Sequence, residues 1–137
     1  MDTYYYIKIS TDGGIRVEHQ SSSILSFDDL IKMIDGQPGL AWPRANLPLD
    51  GLELRLRMVF DENYSLLQLP LNPMASGIHG APVFGNVILC TEDPLGDEDD
   101  MDMRAFTQRE YEKIMHLLTT ILTMVDWFYM KDKVVIA

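Results

Sequence analysis

Residues 58–90 read MVFDENYSLLQLPLNPMASGIHGAPVFGNVILC, and the order of residue types in this stretch decides the fold. Just upstream, Leu52-Glu53-Leu54-Arg55-Leu56-Arg57-Met58 alternates apolar with charged residues. That is the period of a strand with its leucines on a core and Glu53, Arg55 and Arg57 in water. Asp61-Glu62-Asn63 offers turn chemistry, and the pattern from Tyr64 to Leu71 predicts a second strand pairing back. Leu69-Pro70-Leu71-Asn72-Pro73 halts that strand, since proline donates nothing to a ladder. A short Ala/Ser/Gly link comes next, and Val83 to Thr91, entered through Gly85, reads as a third strand.

Working outward, Tyr4 to Ser10 is rich in strand formers, and Asp12-Gly13-Gly14 supplies a tight turn. Ile15 to His19 alternates on the way back, which predicts a hairpin. Ser26 ahead of Phe27-Asp28-Asp29 reads as a helix N-cap with acids in the first turn. Leu30, Ile31, Met33 and Ile34 form its apolar face, and Gly36 ends it. Prolines at 38, 43 and 48 forbid a long element over 37–50, leaving room for a short strand at Leu40-Ala41-Trp42.

Thr107-Gln108-Arg109-Glu110 predicts a capping box and a helix over 108–130, apolar on nearly all sides from Leu117 onward. A membrane span needs about 20 apolar residues, and this run is shorter and broken by Asp126. One small sheet buries only a stripe of such a helix, so a homodimer through Leu118, Ile121, Leu122, Val125 and Phe128 is expected. Val134-Val135-Ile136 suits a strand, added in cis or across that dimer. The expected class is α+β, a small mostly antiparallel sheet with one short helix and a long apolar C-terminal helix. Residues 1–91 form the sheet-plus-short-helix core, 92–106 an acidic linker and 107–137 the oligomerisation helix and tail, all within one domain.

The chain has 137 residues, of which 47% are hydrophobic, with a net charge of −10. That acidity argues against a surface tracking nucleic-acid phosphates. Cys90 is the sole cysteine, so there is no internal disulfide, which fits a reducing compartment. The N-terminus lacks the basic-then-apolar pattern of a secretory signal, and the cytoplasm is expected.

Asp97, Glu98, Asp99, Asp100 and Asp102 suggest calcium at first sight. Counted from Asp97, however, an EF-hand loop needs glycine where Asp102 stands and glutamate where Gln108 stands. The run reads instead as a solvated loop, or as a surface for a basic protein partner. His19, His79 and His116 lack ligand spacing, so no metal is expected. A nucleophile–base pair of Cys90 with His79 has nothing to orient it. Gly77-Ile78-His79-Gly80 reads as a crossover loop needing glycine for its path, or as a loop whose amides meet a ligand. Arg55 and Arg57 point the same way from one strand, either to pair with acids in water or to hold a phosphate or carboxylate. Tyr4, Tyr6, Trp42 and Trp127 fit a core, or a stacking platform.

Asp61-Glu62-Asn63, Leu69-Pro70-Leu71-Asn72 with Ala75, and Val83-Phe84-Gly85-Asn86-Val87-Ile88 together resemble a family of small domains of phages, plasmids and other mobile elements, catalogued as domain of unknown function 3846. The resemblance covers roughly residues 4–91. It implies a mobile-element origin and a small α+β fold, and it brings no activity.

The expectation is therefore a non-enzymatic phage or mobile-element accessory protein acting by non-covalent binding, in the host cytoplasm if phage-encoded. Counter-defence or host regulation through a protein partner suits the acidic segment. The alternative is a sponge for a small nucleotide signal at an oligomer interface, using Arg55, Arg57, Gly77, His79 and Gly80. An unrecognised hydrolase is a third class. No cofactor, nucleic acid or membrane is expected as a partner.

Overall fold

A computed structural model describes residues 2–43, 55–92, 103–125 and 134–136, of which 120–125 and 134–136 are described as backbone. The fold is α+β: among the described residues a curled and mostly antiparallel sheet of eight strands carries three helices on its two faces. β1 (Tyr4–Ile9) and β2 (Ile15–Gln20) form the expected hairpin, with Ile7 opposite Val17. The Asp12 carboxylate accepts the Gly14 N–H at 2.9 Å, and Gly13 takes the positive φ of 91° that the turn requires.

β3 (Ile24–Leu25) leads into α1 (Phe27–Ile34). Its start is a full capping box: Ser26 Oγ accepts the Asp29 N–H at 3.1 Å, and the Asp29 carboxylate accepts the Ser26 N–H at 2.9 Å. Its end differs from the expectation, because Asp35 carries the left-handed conformation at φ 53°. Gly36 is required for another reason: a Cβ there would run into the Asp61 carboxylate.

β4 (Pro38–Ala41) pairs antiparallel with β5 (Leu56–Asp61), and β5 pairs with β6 (Val87–Glu92). The hairpin expected between β5 and residues 64–71 does not form. Past β5, the Asp61 carboxylate accepts the Asn63 N–H at 2.9 Å, and residues 62–68 close on themselves in turns. Leu67 N–H donates to Asn63 O at 2.9 Å and Leu69 N–H to Tyr64 O at 3.0 Å, with Gln68 at φ 53°. Local bonds take the backbone groups that a ladder would have used. Leu52–Leu54 lie outside the described residues.

The supposed crossover loop is also a helix, α2 (Pro73–His79). Asn72 caps it and Pro73 opens it, so the residues that stop a strand here start a helix. Asn72 is fully buried and does more than cap. Its Oδ1 accepts the Ala75 N–H at 3.1 Å, while Nδ2 donates to Ile9 O at 3.1 Å and to Gly85 O at 2.9 Å. One amide thus joins α2, β1 and the approach to β6.

β7 (Met103–Arg104) pairs with both β6 and β3, so the last residues of the expected linker belong to the sheet. Met103, Ala105 and Phe106 are buried, and Tyr5 bridges to Phe106 where β1 leaves β6. α3 spans Gln108–Val125 behind its expected capping box, with Thr107 N–H donating to Glu110 Oε1 at 2.9 Å. β8 (Val134–Ile136) lies parallel to β2 of the same chain, which makes the tail a strand in cis.

β6 runs apolar without alternation because both its faces are covered. Val87 and Leu89 join the cluster closed by α2 and α3, and Ile88 and Cys90 join the cluster under α1. Leu118, expected at an oligomer interface, is 2% exposed in this chain's own core beside Ile114 and Leu117. The side chains of Ile121, Leu122, Val125 and Phe128 lie outside the described residues, as do Asp97, Glu98, Asp99, Asp100, Asp102 and Trp127.

Candidate binding site

The end of β4, the start of β5 and the end of β6 meet at one corner of the sheet. Ala41 pairs with Met58 and Leu56 with Thr91, so Trp42, Arg57 and Glu92 come together. The Arg57 guanidinium carbon lies 3.5 Å from the Trp42 ring centroid, and Arg57 Nη1 meets Glu92 Oε1 at 3.0 Å. Arg55 Nη1 reaches the other oxygen of the same carboxylate at 3.4 Å. His79, at the end of α2, places Nδ1 at 2.7 Å from the Trp42 carbonyl. A carbonyl only accepts, so Nδ1 carries the proton.

Arg57 is not the solvent-facing residue that alternation implied; it is 8% exposed. An arginine can lie with its stem along an apolar face and its flat guanidinium against an aromatic ring, and Trp42 supplies that cover. Burial lowers the pKa of Arg57, and the Glu92 carboxylate pulls it back up. The group stays charged throughout the physiological range. Its Nε–H is buried with no acceptor among the described residues. Arg55 is the opposite case, with a side chain 69% exposed.

Two guanidinium groups therefore share one carboxylate, so among the described residues these three side chains carry one excess positive charge in an acidic chain. Arg55 has donors facing water, and Trp42 is half exposed. The corner can hold an anion by charge-assisted hydrogen bonds, and a flat group by stacking. Gly77 and Gly80 take no part in it. Gly77 lies within α2, and Gly80 caps it at φ 87° with its N–H bonded to Ser76 O at 2.8 Å. Of the residues singled out in the sequence, Arg55, Arg57 and His79 lie at this corner; Glu92, read as the first linker acid, and the contact of Trp42 with Arg57 were not foreseen. The β4–β5 register carried that signal.

Cys90 sits directly across the ladder from Arg57. Burial pushes its thiol up to about 12, against a lowering pull from Arg57. A thiol so protonated is no nucleophile at neutral pH. No hydrogen bond joins it to His79 among the described residues.

A second surface lies on the turns after β5. Tyr64 stacks on Phe84 with ring centroids 5.3 Å apart and planes 8° from parallel, while Leu66 stands 84% exposed beside exposed Leu67 and Leu71. Tyr4 and Tyr6 pack under α1. Among the described residues no group of three or more His, Cys, Asp or Glu side chains is placed to hold a metal, and no helix is long and apolar enough to cross a membrane. No family model matches the chain, and no curated protein or solved structure matches it.

Proposed function

We propose that this protein works by non-covalent recognition of a small anionic ligand at the Arg55–Arg57–Trp42 corner. The observation that carries the reading is the sharing of Glu92 by a buried and an exposed arginine, which among the described residues leaves donors on Arg55 for a second anion. Buried Arg57 is pinned by its ring and carboxylate, so it is already ordered before a ligand arrives, which lowers the entropic cost of binding. Binding itself, by sequestration, is then the activity.

Inorganic phosphate, compared with chloride at matched ionic strength, tests the reading. Phosphate at ten times its Kd should stabilise the protein by about 1.4 kcal/mol, a rise of roughly 3–5 °C in Tm. Arg55→Ala should abolish that rise while leaving the fold intact, because Arg55 is mostly exposed. An unchanged Tm in the unsubstituted protein up to tens of millimolar phosphate would overturn it.

A second reading, recognition of a protein partner, is favoured by the turns after β5. Their exposed leucines stand on a scaffold held by the Tyr64–Phe84 stack and by local backbone bonds, a pattern typical of contact surfaces. The acidic residues expected to meet such a partner lie outside the described residues.

A further inference from the structure

We infer that the ligand of this corner is a nucleotide, its base stacked on the open face of Trp42 and its phosphate held by Arg55. The inference rests on the anion-binding reading above and adds the class of ligand.

A guanidinium carbon 3.5 Å from a ring centroid must lie over the ring face, since an edge approach would be longer. One face of Trp42 is therefore covered by Arg57. With the residue 51% exposed, the water-facing area belongs to the other face and the rim. The ring is held on its covered face by the Arg57 guanidinium, and the Trp42 backbone is fixed by the bond of its carbonyl to His79 Nδ1. A large aromatic fixed in this way is a ready platform, because little side-chain freedom remains to be lost on stacking. The cation beneath it offsets the negative charge of the π face. The open face is then better suited to an electron-rich or anion-bearing ring than to another cation.

Arg55, just before β5, and Arg57 within it bind the two oxygens of one carboxylate, and Arg57 is the residue under Trp42. The exposed guanidinium of Arg55 therefore lies beside the Arg57–Trp42 pair, joined to it through the Glu92 carboxylate. A bare phosphate or sugar phosphate would use the arginine and leave the ring idle, and a nucleoside would use the ring and leave the arginine idle. Only a ligand with both parts uses the whole corner. The Glu92 carboxylate, shared between the two arginines, leaves room for one anionic group there and disfavours a polyanion.

Calorimetric titration of the whole chain with adenosine monophosphate, ribose phosphate and inorganic phosphate separates the parts. Base stacking contributes about 1–3 kcal/mol, so adenosine monophosphate should bind roughly 5-fold to 150-fold tighter than ribose phosphate. In Trp42→Leu that preference should fall to within about 2-fold. Equal affinities in the unsubstituted protein, or a preference that survives Trp42→Leu, would overturn the nucleotide inference while leaving the anion-binding reading standing. Failure of all three phosphates to bind would overturn both. If Trp42→Leu does not fold, the comparison of ligands on the unsubstituted protein decides alone.

Discussion

Arg57 lies under the ring of Trp42, 3.5 Å from its centroid, and that contact ties the residue after β4 to the paired strand β5. The cation it buries is answered by Glu92, whose side chain is 19% exposed. Removing one partner of such a pair is costly because the other charge remains in a dry site, whereas replacing both members by uncharged side chains is close to neutral. Glu92→Gln should lower stability by about 2–4 kcal/mol. Arg57→Met in the same background should recover most of that loss. Urea-unfolding midpoints of the two single variants and the double variant read this directly, and additive losses would contradict it.

Asn72 predicts a large effect from a small change. Asn72→Ala removes a helix cap and leaves the carbonyls of Ile9 and Gly85 without their donor. The expected loss is about 2–4 kcal/mol. Asn72→Asp should fare no better, since a buried carboxylate keeps the cap but faces two carbonyl oxygens. Thermal unfolding of both variants is the check.

These two sites mark what can and cannot be read from the chain alone. The β1–β2 hairpin, the Ser26 and Thr107 caps and the tail strand are legible because their signals are local: a turn of aspartate and glycines, a hydroxyl with an acid three residues on, a β-branched triplet. Residues 64–79 mislead because strand-like composition competes with side chains that bond nearby backbone. Pro70 and Pro73 mark a break without specifying the helix beyond it. The site is half legible. Two arginines at strand spacing are visible in the sequence, but Trp42 and Glu92 reach them only through the β4–β5 and β5–β6 registers, and a buried Arg57 reverses the in–out alternation that would place it in water.

Cys90 gives an alkaline prediction. Its thiol moves from an ordinary 9.0 to about 12 in the fold, so its contribution to stability is complete below pH 9 and is lost as pH rises from there toward 12. Cys90→Ala should flatten the stability profile in that window. Native protein at pH 8 should also resist thiol labelling that goes to completion in urea.

Glu110 gives the acid counterpart. Burial raises its pKa, but hydrogen bonds from Arg104, at 2.8 Å and 3.0 Å, and from Thr107 outweigh it, leaving the carboxyl below its ordinary 4.5. A depressed folded value stabilises above pH 4.5 and is lost as pH falls through the lower folded value. Glu110→Gln should therefore destabilise at pH 7 and differ little from the unsubstituted protein near pH 3. A penalty that stayed constant across that range would contradict the assignment.

The anion meets Arg55 beside the buried Arg57–Trp42 pair, which the ligand then perturbs as well. The most direct measurement is a heteronuclear NMR titration of the arginine side-chain Nε–H groups with adenosine monophosphate. The buried Arg57 Nε–H should give a slowly exchanging signal before any ligand is added, and the Arg55 and Arg57 signals should shift together and saturate while those of Arg16 and Arg104 stay in place. If the Arg55 and Arg57 signals remain unmoved up to millimolar ligand, the corner is a structural clasp and the account fails.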